Sequence, residues 1–438
     1  MTQKHFETHL AQKLPFLRKS SLLIAVSGGM DSVVLTQLCY NMKLNITLAH
    51  CNFKLRGAES DADAAFVKTL ANNLGVQLHT KSFHTKAYAT QTKMSIQMAA
   101  RALRYNWFQE LLKAGPYQYL ATAHHADDNL ETFFINFMRG TGLEGLTGIP
   151  EVHTNVVRPL LPFSQKELLH FAKQEKLTWR NDSSNAITKY LRNKLRHDVI
   201  PILKGINPQL LQNFQKTQAH LQDANLVIQD ALEKVEEAVV TTKEDSRYFN
   251  IDNLNALSNP KVYLYYLLKG FHFTEWDDVY SLLHAQSGKF VVSKTHRLVK
   301  DRAHLILTKL PENKSFSEFI WEENQSQITG PFGTITAQPV SEITETSKTC
   351  IFVNKDLLKY PLTIKPFEKG AYFYPFGMTG KKKLSKFFKD EKLSLPEKEN
   401  IWLLYANNKL VWIIGLRADN RFRVTDNNKS IIKFCIKK

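Results

Sequence analysis

The chain has 438 residues, which at ~100 to 200 residues per domain amounts to about three domains and excludes a single small binding module. Hydrophobic residues make up 43% and charged residues 23%, a balance that excludes both a disordered chain and a membrane-embedded one. The 58 Lys+Arg against 41 Asp+Glu leave +17 at pH 7, and an excess of that size favours a polyanionic partner, nucleic acid first.

In chain order, residues 1–20 are polar and charged. The first apolar run, Leu22–Val26, is far shorter than the ~20 residues of a membrane span, so a cytoplasmic protein without a membrane partner is expected. Buried strands are predicted at Leu22–Val26, Ile46–Ala49, Val76–His79 and Tyr119–Thr122, and helices at Ser32–Tyr40, Asp61–Leu74 and Asp127–Arg139. That alternation predicts an α/β fold, a doubly wound parallel sheet whose ligand site lies beyond the carboxyl ends of its strands. A long helix follows over Gln209–Val240, then helices at Pro260–Leu268 and Trp276–Leu283 and strands at Lys289–Val292, Arg297–Val299 and His304–Leu307. Residues 313–345 are rich in polar residues, Gly and Pro, as in loops or edge strands. A basic helix is predicted at Lys381–Lys392 and a hairpin at Ile401–Tyr405 and Leu410–Ile414, turning at Asn407-Asn408. The expected organisation is a catalytic domain over residues 1–205, a mainly helical connector domain over 206–312, a loop-rich connection over 313–350 and a small basic α+β domain over 351–438.

Charge is concentrated at two places. Residues 361–438 carry 17 Lys+Arg against 7 Asp+Glu, and residues 161–210 carry 9 against 4, which suggests two contact surfaces on one large polyanion rather than a uniformly basic protein. The alternative is a solubilising surface excess. Cys39, Cys51, Cys350 and Cys435 stand apart, with no spacing that suggests a disulfide framework or a zinc site.

Directly after the first strand comes Ser27-Gly28-Gly29-Met30-Asp31-Ser32. Paired glycines let a backbone approach its ligand closely, serine hydroxyls and helix-start N–H groups bind phosphate oxygens, and Asp31 can hold Mg²⁺. There is no lysine for terminal phosphates, unlike the loop of kinases and GTPases. The loop resembles that of the N-type ATP pyrophosphatases, which cleave ATP between the α- and β-phosphates and adenylate a carbonyl oxygen.

Further motifs follow: His50-Cys-Asn52-Phe-Lys-Leu55-Arg56-Gly57; Ala99-Ala-Arg101-Ala-Leu-Arg104-Tyr105; Ala123-His124-His125-Ala-Asp127-Asp128-Asn129-Leu-Glu131-Thr132; Arg139-Gly140 to Gly148-Ile149-Pro150; Arg158-Pro159-Leu160; Asn181-Asp182-Ser-Ser184-Asn185; and Tyr190-Leu-Arg192-Asn193-Lys-Leu-Arg196. In this order, over about residues 20–205, they resemble the tRNA(Ile)-lysidine synthetase family. The resemblance implies that ATP adenylates the 2-carbonyl oxygen of the wobble cytidine in the CAU anticodon of an isoleucine tRNA. The ε-amine of free lysine then displaces AMP, giving lysidine. A homodimer is compatible with the sequence.

Asp128 and Glu131, three apart on a predicted helix, share one face and can hold the ammonium of lysine and help remove its proton; a solvated acidic face is the alternative. His124 is expected to contact phosphate or adenylate, or else to be a buried structural histidine. Arg104, with Arg101 as the weaker candidate, can stabilise charge on the α-phosphate. Asn52, Lys54 and Arg56 lie on the loop where the family's tRNA-facing and ATP-facing residues fall. Arg192, Asn193 and Arg196 form a basic face, and repulsion between Arg192 and Arg196 would be relieved by an RNA phosphate. Lys381, Lys382 and Lys383 are expected to bind another part of the tRNA.

Three departures from the family pattern stand out: Ala123 for a glycine, Asn129 for a glutamine, and Pro396-Glu-Lys-Glu-Asn where tryptophan and arginine often follow the proline. The competing functions are an ATP-dependent tRNA thiolase, which needs a catalytic cysteine or a cysteine-held iron-sulfur cluster, and a non-catalytic RNA-binding protein. No N-terminal nucleophilic cysteine supports glutamine-dependent amidation.

Overall fold

The computed structural model describes residues 2–180, 191–310, 318–344, 347–376, 378, 380–425 and 430–437. The Asn181–Asn185 motif and Tyr190 lie outside the described residues. The chain divides into two compact units, Met1–Gln229 and Asp230–Lys438.

The first unit is built on six strands, β1 (Ser21–Ala25), β2 (Asn45–Asn52), β3 (Leu78–Ser82), β4 (Tyr119–Ala121), β5 (Val152–His153) and β6 (Val156–Val157), in the spatial order β3-β2-β1-β4-β6-β5. Pairing is parallel except between β5 and β6, an antiparallel edge the sequence did not announce. Its helices are α1 (Gln3–Lys13), α2 (Met30–Asn41), α3 (Ala58–Leu74), α4 (Thr85–Thr92), α5 (Ile96–Ala114), α6 (Ala126–Met138), α7 (Leu143–Leu146), α8 (Gln165–Gln174), α9 (Leu191–Lys194), α10 (Ile200–Ile206) and the start of α11 (Leu210–Val239). Successive residues of β1 point to opposite faces, as the pleat requires. Leu22 and Ile24 pack in a core with Leu38 of α2, Val67 of α3 and Phe171 of α8, while Leu23 packs with Trp107 and Phe108 of α5. Strand order reverses between β1 and β4, so the crevice beyond their carboxyl ends is the topological switch point where such sheets bind ligands.

The second unit opens with the end of α11 and a five-stranded antiparallel sheet: β7 (Val240–Lys243), β8 (Ser246–Asn250), β9 (Phe290–Val292), β10 (His296–Asp301) and β11 (His304–Lys309). Helices α12 (Ile251–Asn255), α13 (Pro260–Leu268) and α14 (Trp276–Ser281) bury Leu254, Leu264 and Val279 against Phe249, Leu298 and Leu305 of this sheet. The β7–β8 hairpin was not predicted.

The rest of the unit holds β12 (Phe319–Trp321), β13 (Gln327–Gly330), β14 (Gly333–Val340), β15 (Cys350–Asn354), β16 (Leu362–Pro366), β17 (Tyr372–Phe373), β18 (Lys382–Lys383), α15 (Leu384–Asp390), α16 (Leu395–Glu399), β19 (Trp402–Ala406), β20 (Lys409–Ile413), β21 (Arg417–Ala418) and β22 (Ile431–Lys437). Sheets β12-β16-β19-β20-β21 and β13-β14-β22-β15 share a core around Trp321, Trp412 and Phe434. Strands β12 to β14 thus form within the passage that composition marks as loops or edge strands.

Two expectations are corrected. The basic helix begins at Leu384, because Lys382 and Lys383 pair with Tyr372 and Phe373 as an extended segment. Cys350 and Cys435 are disulfide-bonded, because the register of β15 on β22 sets them opposite each other with Cα atoms 4.2 Å apart. Their 85-residue separation hid that pairing from spacing arguments.

Candidate active site

The loop after β1 is shaped by its own hydroxyls. Ser32 Oγ donates to the Gly29 carbonyl and accepts from the Ser27 N–H, and Ser27 Oγ accepts from the Gly29 N–H at 3.3 Å. Gly28 has φ +91°, a conformation that L side chains rarely adopt, and its carbonyl accepts from the Arg180 N–H. Met30 and Asp31 open α2, whose first N–H groups have no intrahelical acceptor. The loop thus presents serine hydroxyls and helix-start N–H groups at a helix N-terminus, a chemistry suited to an anion. Beneath it, His50 is buried with Nδ1 2.9 Å from the Val26 carbonyl oxygen, and burial lowers its pKa.

The second wall is the start of α6, one strand over. His125 is its N-cap, and Asp128 closes a capping box by accepting the His125 N–H at 3.2 Å. Asp127 accepts from the Gln165 N–H and pairs with Lys204, which ties α6 to α8 and α10. His125 Nε2 lies 3.7 Å from Asp31 Oδ2, joining the two walls. Burial raises the Asp31 pKa despite the opposing His125, and Asp31 Oδ1 is buried without a hydrogen-bond partner among the described residues. Burial also drives His124 down to about 4, so its ring is neutral; Nδ1 lies 2.9 Å from Thr122 Oγ1.

Asp128 and Glu131 share a face, as the spacing predicts, but it is not a solvated one: the Glu131 side chain is 2% exposed. Both carboxylates hold arginines. Arg196 donates from Nε to Glu131 Oε1 at 2.5 Å and from Nη2 to Glu131 Oε2 at 3.0 Å and Asp128 Oδ1 at 2.8 Å. Arg192 Nε lies 3.1 Å from Glu131 Oε2, and its Nη2 donates to Thr132 Oγ1 at 2.6 Å. The repulsion between Arg192 and Arg196 is offset in this structure by the acidic side chains of α6. Burial opposes the Asp128 charge, but His125, His124 and Arg196 outweigh it and hold its pKa below the usual carboxylate range. At Glu131 burial prevails over Arg196 and the pKa is raised.

Other expected site residues are placed differently. Asn52 is buried, donates to Asp61 Oδ1 at 2.9 Å and accepts from the Lys54 N–H, which shapes its loop. Arg56 donates to Asp63 at 2.6 Å, and Asp63 also accepts from Arg180 at 3.0 Å. Lys54 is exposed. Arg104 is exposed with its guanidinium over the Phe53 ring, and Arg101 lies over Tyr105. Lys381 lies over Tyr372, Lys382 pairs with Asp390 at 2.7 Å, and Lys383 is exposed. Asn193 follows Arg192 on α9, ahead of Arg196 in the next turn. Sequence reasoning missed the Asp63–Arg180 and Lys204–Asp127 pairs, whose partners lie 117 and 77 residues apart and leave no local signal.

The cysteines leave no thiolase site. Burial pushes the thiols of Cys39 and Cys51 up to about 12, and Cys350 and Cys435 are bonded to each other.

Family models match a PP-loop domain over residues 2–203, a TilS substrate binding domain over 242–310 and a TilS substrate C-terminal domain over 362–434. The tRNA(Ile)-lysidine synthase of Bacteroides thetaiotaomicron is 35% identical over 439 residues, covering 100% of each chain. That of Parabacteroides distasonis is 38% identical over 416 residues, covering 94% of each. Among solved structures, the U34-tRNA thiolase NcsA of Methanococcus maripaludis is similar over 50% of this chain and 78% of its own, at 18% identity and a TM-score of 0.40. With a relative 35% identical over the full length of both chains, another 38% identical over 94% of each, and three family models matched in order, the chain belongs to the tRNA(Ile)-lysidine synthase family.

Proposed function

We propose that this chain ligates free lysine to the 2-position of the wobble cytidine in the CAU anticodon of isoleucine tRNA, through an adenylated cytidine, releasing pyrophosphate and AMP. The observation that carries the reading is the pairing of an anion cradle with a cation-binding carboxylate pair at one crevice. The 2-carbonyl oxygen attacks the α-phosphorus of ATP held at Ser27–Ser32, and pyrophosphate leaves. The lysine ε-amine, received by Asp128 and Glu131, attacks ring carbon 2 after losing its proton, and the C–O bond to AMP breaks. Glu131, with its raised pKa, is suited to take that proton.

The donor set fits Mg²⁺: Asp31 offers one buried carboxylate oxygen with no hydrogen-bond partner among the described residues, and Mg²⁺ is often held by one or two carboxylates together with substrate phosphates. The ion would neutralise phosphate charge. His124 is neutral, so when Thr122 donates to its Nδ1 its Nε2–H is a donor for a phosphate oxygen. Arg104 approaching the α-phosphate and Lys54, Arg192, Arg196 and the C-terminal lysines receiving RNA remain parts of this reading, as do a cytoplasmic location and a homodimer. No helix among the described residues is long and apolar enough to cross a membrane.

The test is mass analysis of an anticodon fragment after incubation of unmodified isoleucine tRNA with the protein, ATP and lysine. The expected product gains lysine minus water, and only when both small substrates are present. A gain equal to sulfur replacing oxygen, or no gain, overturns the proposal.

A further inference from the structure

The carboxylates assigned to the amine are already filled by the chain's own cations. Glu131 has both oxygens engaged by Arg196 and Arg192, and Asp128 spends one oxygen on its helix cap and the other on Arg196. Spare lone pairs exist on these oxygens, but Glu131 is 2% exposed, and a third cation there would meet two guanidinium groups inside a largely desolvated space. An ammonium and these arginines therefore compete for one site.

The arginines sit on a segment suited to moving. Arg192 lies on the four-residue α9, and Arg196 lies in a π-helical turn, Leu195–Val199, before Pro201 opens α10. π-Helix is rare, occurs mostly as single turns within α-helical segments, and is frequently found at functional sites. The Arg192 side chain is 43% exposed and that of Arg196 27%, so both can be reached from outside, whereas their carboxylate partners cannot leave the core of α6. The segment lies within residues 161–210, where Lys+Arg exceed Asp+Glu. Phosphate accepts guanidinium bidentately and competes well with carboxylate for it.

We propose that Arg196, assisted by Arg192, determines when the amine site accepts substrate: it stands in for the lysine ammonium until RNA phosphates draw it away, so RNA binding and lysine binding are positively coupled. This rests on the assignment of Asp128 and Glu131 to the amine. Linkage makes the coupling reciprocal: the factor by which tRNA raises lysine affinity equals the factor by which lysine raises tRNA affinity.

The experiment is titration calorimetry of the full chain without ATP, so that no turnover occurs. Lysine is titrated with and without isoleucine tRNA, and the tRNA with and without lysine. The wild type should show equal coupling factors of about tenfold or more, the size expected for a charge-assisted contact. Arg196→Gln should bind lysine without RNA about as tightly as the wild type does with it, and its coupling should fall toward one. Arg192→Gln, at a more exposed position, should lower the coupling in part and serves if Arg196→Gln does not fold by circular dichroism. Unchanged coupling in the folded variants, or no coupling in the wild type, overturns the inference. Glu131→Gln separates the two levels: lysine binding to its tRNA complex at wild-type strength would sink the amine-site assignment itself.

Discussion

Burial shifts the titration of Asp31 upward and that of His124 downward, and the role of each can be measured. Asp31 offers an unpartnered buried oxygen at the phosphate cradle and supports no hydrophobic core contact, so Asp31→Asn should abolish Mg²⁺-dependent pyrophosphate release while leaving the circular dichroism spectrum and unfolding midpoint near wild type. Release near the wild-type rate would remove Asp31 from the chemistry. His124, held to about 4, should show flat imidazole chemical shifts in NMR from pH 8 to about 5; a midpoint near 6.5 would contradict its burial. Because the unfolded chain takes up this proton near pH 6.5 and the folded one near pH 4, His124 lowers stability as pH falls through that window. A His124→Asn variant should lose that part of the acid sensitivity in denaturation curves. At this scale the sequence revealed the cradle and the Asp128/Glu131 pair, because both are local patterns. It did not reveal that Arg196 closes on Glu131, a contact 65 residues away that no local spacing encodes.

Helix α6 is held to its surroundings by Asn129, the position where this chain departs from the family's glutamine. Asn129 donates to Gln218 of α11 at 2.7 Å and accepts from the Ile149 N–H at 2.7 Å, and Gln218 donates to the Thr147 carbonyl. Gly148 fits under this network with φ +77°, and a Cβ there would overlap Gln218 Nε2 and Asn129 Oδ1. Gly148→Ala should therefore destabilise the first unit by about 1 to 3 kcal/mol in urea unfolding. It should also weaken lysine use more than ATP use if α6 carries the carboxylates proposed to receive the amine; a neutral substitution would show that the loop yields freely. Strands β1, β2 and β4 and helices α2, α6 and α11 were legible because apolar runs and helical periodicity are strong there. Strands β12 to β14 were legible only as loops or edge strands: β12 and β13 are short, and β16 and β22, which pair with β12 and β14, lie far along the chain.

Across the whole molecule, charge remains the clearest guide to RNA. Of the five lysines at 381–389, Lys382 pairs with Asp390 and lies over Phe387, whereas Lys381, Lys383, Lys386 and Lys389 are exposed. Replacing those four by alanine should leave the fold intact and reduce tRNA affinity. The slope of log affinity against log salt should become shallower by about 0.7 to 0.9 for each phosphate that the variant no longer neutralises. An unchanged slope would make the patch a solubilising surface. The double basic region was visible in composition, whereas the division of labour among its lysines depends on tertiary pairing and was not.

Strand β22 occupies an interior place in its sheet, between β14 and β15, and is made of residues 431–437. The six strands around the switch point, by contrast, are all present once residue 157 has been synthesised. Domains fold largely as units during synthesis, N-terminal first. The nucleotide-binding sheet can thus be assembled on the ribosome while the C-terminal sheet still lacks a middle strand. Premature termination a few codons before residue 431 would release a protein with its ATP-handling half built and its C-terminal sheet left as separate open edges, prone to pair with other chains.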